Sequence, residues 1–127
     1  MADIDGLHLL VDGQVEDTSV FAQDNIDQLL RRLVIDLDME LLLEPQFKEV
    51  ALNPAELEKD GFSDDGGLSA FCMISTSHIS IHVWPLRAVF MADIFSCKKF
   101  DAPKAQRTVI EFLHPTSLKI QSISRSP

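Results

Sequence analysis

The sequence predicts an α+β domain: a two-layer sandwich in which a mainly antiparallel sheet carries two helices on one face, in the order β-α-β-β-β-α-β. Three observations lead there. Two windows, beginning near Asp24 and Asp101, repeat apolar residues at helical spacing. The other apolar segments are short and strand-like, and two adjacent ones are separated only by the turn-forming WPLR. At 127 residues the chain is long enough to bury a real core, and 1–127 is read as one domain.

GLHLLVD, residues 6–12, reads as a first strand closing in acidic and polar residues. Next, Ile26, Leu29, Leu30 and Leu33 fall at i, i+3, i+4 and i+7, on one face of a helix with Asp24 or Asn25 available as cap. The apolar residues from Leu41 to Leu52 suggest a second strand, broken or turned near Glu44-Pro45. NPAELEKDGFSDDGG, residues 53–67, mixes prolines, glycines and acids, and reads as a surface loop with one short helical turn. Leu68–Val83 and Ala88–Cys97 are read as two strands able to form a hairpin. Asp101 caps the second helix, Pro103 sits in its first turn, and Val109, Phe112 and Leu113 form its buried stripe. His114-Pro115 ends it, and SLKIQSIS supplies a last strand in which Leu118 and Ile120 alternate with polar residues. The helices cover one sheet face, so the other needs polar residues or a partner subunit.

The bulk numbers exclude some functions. A net charge of −9 argues against nucleic acid, whose phosphates need a basic face. The same charge suits cationic small molecules, or simply keeps the protein soluble. No apolar run approaches the ~20 residues needed to cross a bilayer, so no membrane association is expected. The start MADIDGLHLL has two acids and no base, unlike a secretory or transit peptide, which leaves the cytoplasm as the expected location. Cys72 and Cys97 make no CxxC pair, and a structural disulfide is not expected there.

The chemistry-bearing stretch is TSHISIHVWP, residues 76–85. On a helix, His78 and His82 have zinc-binding spacing. Ile79, Ile81 and Val83 alternate with His78, Ser80 and His82, however, which is strand periodicity. At ~3.3 Å per residue the two imidazoles stand roughly 13 Å apart, too far for one ion, so no metal site is expected. From spacing alone, the residues are better read as a polar strand face with small buried cysteines than as a reaction centre, because Ser, His and Cys within one hairpin are a weak signal.

GLHLLVD, GGLSAFCMISTSHISIHVWP and DIFSC together resemble the small prokaryotic S-adenosylmethionine decarboxylases. The likeness continues weakly through the last helix and strand, and residues 13–65 carry little of it. The family pattern is Ser-His-x-x-x-His-x-Trp-Pro, with a serine eight residues upstream and a cysteine twenty downstream. This chain has Ser77, His78, His82, Trp84, Pro85, Ser69 and Cys97 in those places.

The resemblance implies a pyruvoyl enzyme that cuts its own proenzyme between Thr76 and Ser77, into chains 1–76 and 77–127. Ser77 is then the nucleophile and pyruvoyl precursor, Ser69 assists processing, and His82 is the processing base. The pyruvoyl carbonyl forms a Schiff base with an amino-acid substrate and acts as electron sink for decarboxylation, without metal or pyridoxal phosphate. Cys97 is implied as proton donor, since a thiol with pKa near ~8.5 is largely protonated at neutral pH. Family members of this size form homodimers with the active site near the subunit interface.

The chain departs from the pattern in two places. Thr76 stands where the family usually has glutamate. Leu86 stands where a glutamate after Trp-Pro grips the ribose hydroxyls, and the following Arg87-Ala88-Val89-Phe90-Met91 is bulkier than usual. A leucine accepts no hydrogen bond, and charge-assisted bonds contribute roughly 1.5–3 kcal/mol each. Phe62 lies where the family often stacks an aromatic on adenine; its other reading is a loop residue packed on the domain edge. Arg87 is either a carboxylate ligand or a solvated turn residue. The expected function is S-adenosylmethionine decarboxylase, feeding spermidine synthesis. Leu86 motivates an alternative, a pyruvoyl-dependent ornithine or arginine decarboxylase, and with Thr76 a third, an unprocessed regulatory or binding paralogue.

Overall fold

Alternation along GLHLLVDGQ sends Leu9 and Val11 into the core, and Gly6–Gln14 form strand β1. The structure, a computed structural model, describes residues 4–127, so the first three residues of MADIDGLHLL lie outside it. The remaining elements are α1 (Gln23–Asp36), β2 (Leu41–Val50), β3 (Gly67–Ile74), β4 (Ser77–Trp84), β5 (Val89–Ser96), α2 (Ala102–Leu113) and β6 (Ser117–Arg125). One sheet orders the strands β2-β3-β4-β5-β1-β6, and every neighbouring pair is antiparallel. The two helices pack on one face, and the architecture is the expected α+β sandwich.

The element order differs from expectation at one point that matters. The run 68–83 is not one strand but the hairpin β3–β4, giving β-α-β-β-β-β-α-β. Sixteen extended residues would reach roughly 53 Å, far beyond a usual strand of ~17–20 Å. The buried set also changes parity, from Leu68, Ala70, Cys72 and Ile74 to Ser77, Ile79, Ile81 and Val83. A continuous strand would turn one of those sets to the wrong face, whereas a reversal over Ser75-Thr76 keeps both on the core side.

Ile26, Leu29, Leu30 and Leu33 are all buried under α1, as their spacing requires. Its cap is not Asp24 or Asn25: the helix starts after Ala22, which makes no side-chain cap bond. The Asn25 amide instead donates to the Val20 and Phe112 carbonyls at 2.7 and 2.9 Å, joining the helix layer across the chain. Asp101 does cap α2, accepting from the Lys104 N–H at 3.1 Å, and His114 ends it in the left-handed region at φ 46°. Between the helices, Thr108 donates to the buried Asp36 carboxylate, whose other oxygen lies 3.6 Å from Arg32.

Pro45 is tolerated because β2 lies at the sheet edge, where the pairing with β3 shifts register on both sides of Leu43. The 53–67 segment contains one 3-10 turn, Pro54–Glu58. Gly67 brings β3 against β4 so closely that a Cβ there would lie 2.0 Å from the Val83 carbonyl oxygen. The sheet face away from the helices exposes Phe71, Met73, Met91 and Ile123 among polar residues. Cys72, on the core side, is free, and burial pushes its thiol up to about 11.

Candidate active site

The reactive side chains separate into two groups at opposite ends of β4. At its start, the β3–β4 turn presents Ser75 and Thr76, and Ser77 opens the strand with its side chain buried on the core side. Ser77 pairs with Ile74, and the end of β5 brings Cys97 alongside. The Cys97 backbone N–H donates to Ser77 Oγ at 3.1 Å, which favours development of negative charge on that oxygen. The Cys97 sulfur lies 2.7 Å from Thr76 Oγ1, which is itself 2.6 Å from the Ser75 carbonyl oxygen. A neutral thiol donates to Thr76, whose hydroxyl then serves Ser75; a thiolate accepts from Thr76 instead. That bond to the thiolate is the main influence holding the Cys97 pKa below its ordinary value, opposed by desolvation and aided by Ser77 and Lys98.

A cavity of about 290 Å³ opens beside this group, lined by Asp38, Glu40, Ser75, Thr76, Cys97 and Lys98. Asp38, Glu40 and Lys98 were not singled out in the sequence. The α1–β2 connection brings the two acids there, and nothing local marks them as neighbours of a turn some 36 positions on.

Toward the other end of β4, Ser69 and His82 face each other across the β3–β4 pair, with Ser69 Oγ 2.7 Å from His82 Nδ1. Both lie on the sheet face away from the helices. A groove of about 450 Å³ runs past them, lined also by Gln46, Lys48, Phe71 and Ser80. The His82 ring is 6.1 Å from Trp84, and Trp84 meets Phe62 edge-on at 6.4 Å. Leu86 is half-buried in the turn after Trp84. Arg87, partly exposed, is engaged within its own domain. Its Nε donates to Asp65 Oδ1 at 2.8 Å, and its guanidinium lies 5.3 Å from the centre of the Phe62 ring. Asp65 is fully buried and its second oxygen has no hydrogen-bond partner.

Of the residues expected to share a reaction centre, Thr76, Ser77 and Cys97 are in contact, and Ser69 and His82 are in contact. The two groups do not meet within one chain.

The family model for S-adenosylmethionine decarboxylase matches residues 7–126. The chain belongs to that family. An S-adenosylmethionine decarboxylase proenzyme of Clostridium botulinum is 32% identical over 94% of this chain and 93% of its own. An arginine decarboxylase proenzyme of Caldivirga maquilingensis is 27% identical over 79% of this chain and 70% of its own. The chain spans about half the length of the Pyrobaculum arsenaticum S-adenosylmethionine decarboxylase proenzyme, with 35% identity over 46% of this chain and 48% of that protein. The fold is that of the Aquifex aeolicus adenosylmethionine decarboxylase crystal structure, with TM-score 0.72 and 24% identity over 99% of this chain and 94% of that one.

Proposed function

We propose that the protein is a self-processing, pyruvoyl-dependent S-adenosylmethionine decarboxylase. The observation that carries this reading is Ser77 Oγ, buried directly after a two-residue turn and held by the Cys97 N–H. Ser77 Oγ attacks the Thr76 carbonyl carbon; a C–O bond forms, the C–N bond breaks, and the hydroxyl proton passes to the nitrogen. His82, polarised by Ser69, removes the Cα proton of residue 77, and the Thr76 carboxylate leaves. Water then releases ammonia, giving chain 77–127 a pyruvoyl start, while Thr76 becomes the end of chain 1–76. These residues fit that group: the serine starts a strand, and its neighbours can bind, protonate and shield a small substituent there. The pyruvoyl group supplies the carbonyl electron sink that lets an amino acid lose carbon dioxide. Cys97, in contact with Thr76 and Ser77, is the proton donor to the product carbon in this reading.

His82 lies about 16 Å along the strand from Ser77, so the reading requires a homodimer in which each chain's His82 serves its partner's Ser77. The exposed Phe71, Met73 and Met91 on the sheet face that carries His82 support such pairing. The reading places the enzyme in the cytoplasm, where Cys97 stays reduced, and its product would supply aminopropyl groups for spermidine.

The test is the denatured intact mass of fresh protein with N-terminal analysis. Two fragments divided between Thr76 and Ser77, the later one blocked, are expected; a single chain that stays uncut would remove the reading in favour of a binding paralogue. A second reading, arginine or ornithine decarboxylation, is favoured by Leu86 and by the Caldivirga relative. Carbon dioxide release from the three substrates distinguishes the two.

A further inference from the structure

The bond between Thr76 and Ser77 sits in a turn whose backbone does not suit its residue. Resting on the self-cleavage reading, we infer that Thr76 is a positioning residue for the cut: its left-handed backbone, held by its hydroxyl between Ser75 and Cys97, loads the peptide bond that Ser77 attacks.

Ile74 and Ser77 are paired, so only Ser75 and Thr76 connect β3 to β4. Thr76 has φ 58° and Ser75 does not have a positive φ. Positive φ at the second turn residue alone is a position that normally takes glycine. Two-residue hairpins favour turns with positive φ at the first residue or at both, because those match the strand twist. Of the non-glycine residues with positive φ among those described (Asp38, Thr76, Ala88 and His114), only Thr76 is β-branched. Such a residue is a true outlier in that region.

The surroundings hold it there. Thr76 Oγ1 is 2.6 Å from the Ser75 carbonyl oxygen and 2.7 Å from Cys97 Sγ, while the Cys97 N–H is 3.1 Å from Ser77 Oγ. Cys97 therefore grips both sides of the scissile bond, one with its sulfur and the other with its backbone. When the acyl group moves from nitrogen to oxygen, the connection through the peptide plane is lost and Thr76 can leave the left-handed region. Strain present in the precursor and released along this path lowers the barrier.

Full-length chains carrying Thr76→Gly or Thr76→Ser are compared with wild type for the rate of self-cleavage. The same substitutions in a Ser77→Ala background, which cannot cut, are compared for Tm. Glycine is expected to slow cleavage roughly ten-fold, about 1.4 kcal/mol, the size of the left-handed penalty for an L-residue. Its uncut counterpart should melt no lower than the Ser77→Ala parent. Serine, which keeps the hydroxyl, should cut near the wild-type rate. A merely structural role would slow cleavage and lower Tm together, and that result overturns the inference. So does a glycine variant that cuts as fast as wild type. Wild type that never cuts overturns this inference and the reading beneath it; wild type that cuts with an indifferent glycine variant overturns this inference alone.

Discussion

Ser77 and His82 lie five positions apart on β4, and at ~3.3 Å per residue their backbones stand roughly 16 Å apart. Their side chains also point to opposite faces, Ser77 to the core and His82 away from it. Proton removal needs a heavy-atom approach of about 3 Å or one bridging water, so His82 cannot serve Ser77 of its own chain without unfolding the strand. This makes a mixing experiment decisive. His82→Ala keeps Ser77 and Cys97, while Ser77→Ala keeps His82 and Ser69, so neither alone has a complete site. Loss of a general base costs about 10²–10⁴-fold in rate, and His82→Ala alone should stay essentially uncut. When the two are co-expressed in equal amounts, random pairing puts about half of the His82→Ala chains opposite an intact His82. About half of all His82→Ala chains should therefore divide at Thr76–Ser77, read by denatured mass. If mixed dimers form by native mass and His82→Ala remains uncut, the shared-site reasoning is wrong. Unassisted cutting by His82→Ala would be equally fatal to it.

Further outcomes follow from the geometry. Cys97 has a lowered pKa and Cys72 one raised to about 11, so alkylation near neutral pH should label Cys97 while Cys72 resists until unfolding. Because a lowered pKa means the proton is lost earlier as pH rises, alkylation of Cys97 in the uncut chain should accelerate at a lower pH than that of an ordinary thiol. Thr108→Val removes the donor to buried Asp36 and should cost about 1–3 kcal/mol, a Tm drop of roughly 4–10 °C by calorimetry; an unchanged Tm would refute the inter-helix tie. Arg87→Ala leaves the buried Asp65 without its cation and should destabilise by about 2–3 kcal/mol in urea unfolding. Arg87→Lys should restore only part of that, since it lacks the planar group that lies over Phe62.

The helices were legible because their signal is local. Ile26, Leu29, Leu30 and Leu33 repeat at helical spacing, and Asp101 with Pro103 announces a helix start. The α1 cap was misread because Asp24 and Asn25 are good capping residues by type; Asn25 is instead spent on the Val20 and Phe112 carbonyls, a contact spanning 87 positions. The β3–β4 reversal left a trace in the parity change between Ile74 and Ser77, hidden because Ser75 and Thr76 lack the glycine or asparagine that usually marks a two-residue hairpin. Arg87 gave no sign of its partner, since Asp65 lies in a loop among several acids and only burial distinguishes it.

By itself, then, the sequence determined the element types and the amphipathic faces, because periodicity is a property of neighbouring positions, and its resemblance to the Ser-His-x-x-x-His-x-Trp-Pro family pattern nominated the candidate reactive residues. The tertiary structure alone decided how those residues are grouped. Strand pairing and register join positions far apart in the chain, so Cys97 reaches Thr76 and Ser77, Ser69 reaches His82, and the length of β4 holds the two groups apart.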